Sequence, residues 1–144
     1  MKRFAFVTIL SVLLSGLSFA APKTSKNVPR FPGTLRNARY VYVTSYDGDQ
    51  YNPNLLPEDR DAIVAVQDAI QKWGKLILVY KPVEADIILR VQSRPSEDVL
   101  AVYDAHQDRD QYLWRVMGRS GLQKGETPLV TEFEQAFEKT QKKH

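Results

Sequence analysis

The chain has 144 residues, no cysteine, and a formal net charge of +3 from 20 basic and 17 acidic side chains. One domain is the expectation at this length. Disulfide staples, thiolate chemistry and a lipid anchor on cysteine are all excluded. The charges are mixed along the chain and form no basic stripe of the kind nucleic-acid binders show, so no nucleic-acid partner is expected.

In chain order, the first twenty residues read as a cleaved export signal. Lys2 and Arg3 precede an apolar run from Phe4 to Leu14, and Ser18-Phe19-Ala20 sets small residues at a signal-peptidase site. Cleavage after Ala20 is favoured over cleavage after Ala21, which would put Pro22 directly after the scissile bond. The apolar run is shorter than the ~20 residues that cross a bilayer, so no membrane anchor is expected after processing. The expected localisation is periplasmic or secreted. Removing Met1 to Ala20 leaves 124 residues with 18 basic against 17 acidic side chains. That length supports a core without staples.

Residues 21–34 are rich in Pro, Lys, Ser and Thr and read as a flexible lead-in, laid against the domain through Val28 and Phe31. The domain is expected over 35–144. Arg39 to Tyr46 is β-branched and aromatic, as in a strand. Asp47 to Asn54 is nearly pure turn chemistry and makes a long loop. Pro57 to Trp73 carries Ile63, Val66, Ile70 and Trp73 at spacings of three and four, with Glu58 and Asp59 at the positive end and Gly74 as the stop. Lys75 to Tyr80 and Asp86 to Gln92 read as strands. The first is apolar enough to predict cover on both faces or a central place in the sheet.

Val99 to Tyr103 and Tyr112 to Met117 read as hairpin arms, with Asp104 to Asp110 across the top. Thr127 is placed as the N-cap of a second helix, with Pro128 at its first position and Leu129, Val130, Phe133, Ala136 and Phe137 on its apolar side. The basic cluster Lys139, Lys142, Lys143 and His144 complements the end of that helix. The order β-α-β-β-β-β-α predicts an α+β two-layer sandwich. A mixed sheet of four to five strands carries both helices on one face, and the first two strands are parallel across a right-handed crossover.

Candidate chemistry is sparse. Asp104, His106, Asp108 and Asp110 alternate donors in the manner of a calcium loop. Arg109 replaces the required glycine, however, and Arg115 stands where the bidentate Glu belongs. A solvated hairpin tip is the preferred reading, so no metal is expected. The loop Tyr46, Asp47, Asp49, Tyr51, Asn52 and Asn54 is the better binding candidate. It leaves the C-terminal end of a strand and leads to a helix N-terminus, where α/β sheets place ligands and where an anion finds backbone N–H groups. Tyr46 and Tyr51 could stack on a sugar or peptide. An Asx-rich turn explains the same residues without a ligand. Trp73 and Trp114 read as packing residues.

Nucleophilic catalysis lacks support, with only His106 and His144 as bases and no nucleophile-elbow pattern. Most acids, including Glu58, Asp59, Asp61, Glu134 and Glu138, are expected on exposed helix faces. No phosphate-binding glycine loop is present, and no cofactor is expected.

Three segments together carry a resemblance: Tyr40-Val-Tyr-Val43, Glu84-Ala-Asp86-Ile-Ile-Leu89, and Leu113-Trp114-Arg115 after an Asp-rich turn. The pattern resembles small exported bacterial α/β envelope domains of unknown function, often lipoproteins. More distantly it is similar to the N-terminal domain of the Tol-type periplasmic translocation protein. The resemblance implies an envelope-associated binding or assembly role and carries over no functional residue. The chain departs from the lipoprotein members in lacking an anchoring cysteine. The leading expectation is therefore a non-catalytic module for an envelope protein or polysaccharide, with a homodimer through an open sheet face as a further partner. The alternative is a cell-wall hydrolase using Asp47, Asp49 or His106.

Overall fold

The computed structural model of the chain describes residues 28–107 and 109–142. The expected signal segment, the first part of the expected lead-in, Asp108, Lys143 and His144 lie outside the described residues. The elements are β1 (Tyr40–Ser45), α1 (Pro57–Trp73), β2 (Ile77–Val79), β3 (Ile87–Ser93), β4 (Asp98–Asp104), β5 (Trp114–Gly118) and α2 (Pro128–Gln141). Single 3-10 turns over Gly33–Leu35 and Pro82–Glu84 complete them. The five strands form one mixed sheet in the order β2-β1-β3-β4-β5. β1 runs parallel to both β2 and β3, and the remaining pairs are antiparallel. This is the expected α+β architecture.

The helices form where expected for local reasons. Pro57 begins α1 with a φ already suited to a helix. Ile63, Val66 and Ile70 are fully buried along one side. Gly74 ends the helix in the left-handed region at φ 74, with its N–H on the Ile70 carbonyl. Thr127 precedes Pro128, but its side chain makes no capping bond. Its carbonyl instead accepts from the Val130 and Thr131 amides.

Both helices cover the same face of the sheet. Their stripes meet Val41, Val43, Ile87, Leu89, Val91, Leu100, Val102 and Val116 in one core. At its centre Phe31, Trp73, Trp114, Phe133 and Phe137 pack with centroids 5.6–6.1 Å apart, mostly edge to face. Phe31 comes from the segment expected to be a flexible lead-in. It is 3% exposed, and the nearby Pro29 carbonyl accepts from Trp114 Nε1 at 2.7 Å. Phe31 and Val28 thus lie against the domain, the contact expected of this segment.

Two expectations are corrected. The run Lys75 to Tyr80 is not central or covered on both sides. It supplies β2, a three-residue edge strand with Ile77 56% exposed. Its apolar character divides: Leu76 and Leu78 join the helix-covered core, while Val79 packs on the opposite face. A short apolar run does not by itself report position in a sheet, and brevity is a common trait of edge strands. Asp59 is not on an exposed helix face either, being 1% exposed.

Candidate functional site

The loop between β1 and α1 uses most of its polar groups to hold its own shape. Ser45 Oγ donates to the Gly48 carbonyl and accepts from the Asp47 amide. Asp49 accepts from the Tyr51 amide at 2.9 Å, and Asn52 Oδ1 from the Asn54 amide at 3.0 Å. Asn52 Nδ2 donates to the Asp47 carbonyl, and Arg60 reaches from α1 to the Gln50 and Asn52 carbonyls. Gly48 sits at φ 133, and a Cβ there would collide with the Asn52 amide. These are Asx turns of the local kind that substitute for regular structure.

The acids around this loop act as staples. Asp59 Oδ1 accepts from the Ser93 amide and from Arg94 Nη1, both at 2.8 Å, tying the start of α1 to the end of β3. Arg94 Nη2 reaches Asp47 at 3.2 Å. The Asp59 carboxylate raises the Arg94 pKa, chiefly through its hydrogen bond. Asp98, also buried, accepts from Ser93 Oγ at 2.7 Å and from the Leu122 amide at 2.9 Å, fixing the loop before α2. The α1 N-terminus that could receive an anion thus has a buried carboxylate of its own in its first turn.

Asp104 and His106 lie at the other end of the sheet. Asp104 accepts from the His106 amide, and His106 Nε2 stands 3.2 Å from Asp86 Oδ1. Burial raises the Asp86 pKa. The Arg39 and Tyr40 amides and His106 together outweigh that effect and hold it below the ordinary carboxylate value. Among the described residues no group of three or more His, Asp or Glu side chains could hold a metal. Asp110 belongs to the same turn, and Asp108 lies outside the described residues.

Among the described residues, no helix packs on the second face of the sheet. Alternation sends Tyr40, Tyr42 and Thr44 of β1 there, because Val41, Val43 and Ser45 are buried toward the helices. Ile77 and Val79 join from β2, Ile88, Arg90 and Gln92 from β3, Val99, Ala101 and Tyr103 from β4, and Arg115 and Met117 from β5. Ile88, Ala101 and Tyr103 form a small second core with Tyr42 and Val79 against it. Above it Tyr40, Ile77 and Met117 stay partly exposed.

Tyr46 leans over this face, its hydroxyl 3.2 Å from that of Tyr103. Burial, with that bond second, pushes the Tyr46 pKa up to about 12. The Arg90 guanidinium lies 4.5 Å from the Tyr103 ring centroid, and that of Arg115 lies 5.7 Å from the Tyr112 ring. Arg115 Nε is buried with no hydrogen-bond partner among the described residues. Neither arginine is in an ion pair among them. A groove of about 420 Å³ runs beside β5, lined in part by Pro29, Glu97, Tyr112, Arg115 and Met117.

Of the residues singled out from the sequence, Asp47, Asp49, Tyr51, Asn52 and Asn54 share the β1–α1 loop, with Tyr51 75% exposed. Tyr46 joins the face away from the helices, and Asp49 and Tyr51 stand near Tyr42 on it, where burial first and then their charges raise the Tyr42 pKa. Asp47 and Asp49 stand at one end of the sheet and His106 at the other. Arg90, Arg115, Tyr42 and Tyr103 were not singled out. The signal for them was the alternation of β3 and β5, in which Arg90 and Arg115 occupy the side away from the apolar stripe.

The larger of the two grooves, about 1010 Å³, lies between the 28–36 segment and α2 and contains none of these residues. No protein-family model matches the chain, and neither a curated protein nor a solved structure matches it.

Proposed function

We propose that the chain is a non-catalytic binding or assembly module that works outside the cytoplasm, using the uncovered sheet face on an envelope protein or polysaccharide. The observation that carries this reading is the face itself: tyrosine, isoleucine and methionine side chains stand partly exposed around two arginines that have no acidic partner among the described residues. Exposed apolar side chains that share a sheet face with unpaired cations mark a candidate interaction surface. The export-type N-terminus supports a periplasmic or secreted location.

The hydrolase reading has less behind it. Its acid and base groups would have to converge in a cleft, and Asp47 instead binds Arg94 while His106 binds Asp86 at the far end. The test is co-sedimentation of the full chain with isolated envelope material. The double variant Tyr40→Ser, Met117→Ser should lose retention, and Tyr51→Ser in the loop should keep it. The reverse pattern would move the binding surface to the loop and overturn the reading.

A further inference from the structure

We infer that the uncovered sheet face takes an acidic polysaccharide, with Arg90 and Arg115 each clasping a carboxylate and tyrosine rings carrying the sugars around them. This rests on the binding reading above. The side chains that the five strands turn to this face include two arginines and no acid. Acids stand around it: Glu97 and Glu132 in the β5 groove, Asp49 near Tyr42, and Asp86 at the far end.

Arg90 and Arg115 occupy one row, on either side of Ala101. Two strand intervals separate their Cα atoms by roughly 10 Å. Both guanidinium groups are held over tyrosine rings, which limits their freedom before a ligand arrives. A guanidinium presents a planar fork that fits a carboxylate with two parallel hydrogen bonds.

The spacing and the charge select among occupants. A second copy would present the same face, with its two arginines and no acid, and so would offer neither arginine a counter-charge. An extended acidic peptide shows same-side carboxylates every ~7 Å, two residues at a time, and so misses the row. A polysaccharide with an acid on every second unit presents carboxylates one disaccharide apart, a length close to two strand spacings. Its ring faces are flat and carry C–H bonds, suited to Tyr42, one same-face position from the arginine row, and to Tyr112 beneath Arg115.

The experiment is calorimetric titration of the full chain with four probes: hyaluronate oligosaccharides, neutral N-acetylglucosamine oligomers, poly-L-glutamate and oligo(dT). Hyaluronate, with one carboxylate per disaccharide, should bind, and binding should weaken with added salt. Arg90→Gln and Arg115→Gln should each weaken it roughly tenfold or more, the usual effect of losing a charge-assisted hydrogen bond. Arg90→Lys should fall between Arg90→Gln and the parent, because it keeps the charge and loses the fork. If Arg115→Gln fails to fold, the Arg90 pair decides alone.

Equal binding of the neutral oligomers, untouched by Arg90→Gln, would overturn the carboxylate clasp. Binding of poly-L-glutamate or oligo(dT) without hyaluronate would overturn the polysaccharide, as would silence from all four probes. In each of those cases the binding reading survives or fails separately, on whether Tyr40→Ser, Met117→Ser abolishes retention on envelope material.

Discussion

Replacing Asp59 by alanine separates a structural acid from a chemical one. Asp59 is 1% exposed and accepts two hydrogen bonds at 2.8 Å, from the Ser93 amide and from Arg94. Truncation strands the Ser93 N–H at the end of β3, which costs about 1–3 kcal/mol when no partner replaces the lost one. Arg94 loses less. Its side chain is 31% exposed and retains Asp47 and the Ser93 carbonyl, and an ion pair with one wet partner contributes little net stability. The expected cost of Asp59→Ala is therefore about 2–3 kcal/mol, a sizeable share of the ~5–15 kcal/mol typical of a domain.

Asp59→Asn keeps an oxygen for the Ser93 amide and removes only the charge, so it should cost about 1 kcal/mol, mostly the charge assistance. Urea unfolding followed by tryptophan fluorescence measures both, with an unchanged slope showing that the denatured state is comparable. A cost below ~0.5 kcal/mol for Asp59→Ala would refute the staple. Equal costs for the two variants would show that the ion pair, and not the amide bond, is what the position supplies.

Two more outcomes follow from the packing and the titrations. Phe31→Ala should cost about 3–5 kcal/mol, the range for a buried aromatic ring, because Phe31 sits 5.7 and 5.6 Å from the Phe133 and Phe137 centroids. A urea-measured cost under ~1 kcal/mol would mean that the 28–34 segment adds little to the core.

The Tyr46 pKa is raised from 10.0 to about 12 in the folded state. Its contribution to stability is therefore complete below pH 10 and is lost as pH rises through about 12. Phenolate absorbance should show a tyrosine titrating near 12 that disappears in Tyr46→Phe, beside the raised Tyr42 that remains. Titration of every tyrosine at its ordinary value would contradict the Tyr46–Tyr103 hydroxyl pair.

The helices were legible because their causes are local. Pro57, the Ile63-Val66-Ile70 stripe and Gly74 define α1 within one stretch of chain, and the expected bounds match. The place of β2 was not legible, since a run of apolar residues serves an edge strand as readily as a central one. Asp59 was misplaced for a similar reason. Its partners Ser93 and Arg94 are more than thirty positions away, and no helical period announces a buried acid.

The loop drew attention because Asp and Asn in turns look the same whether they bind a ligand or the backbone. Here Asp49 and Asn52 bind the backbone. The open face was expected from two helices on one side of the sheet, but the residues that build it were not, because strand order assembles them. Arg90 and Arg115 become neighbours of Ala101 only once β3, β4 and β5 lie side by side. Tyr46 meets Tyr103 across 57 positions of sequence.

The most direct test of the account is to record amide NMR spectra of the full chain during titration with solubilised envelope polysaccharide and protein fractions. The account predicts shifts concentrated in residues 40–44, 88–92, 99–103 and 115–117, with the amides of residues 47–54 nearly still. Shifts confined to residues 47–54, or to the groove between α2 and the 28–36 segment, would contradict it.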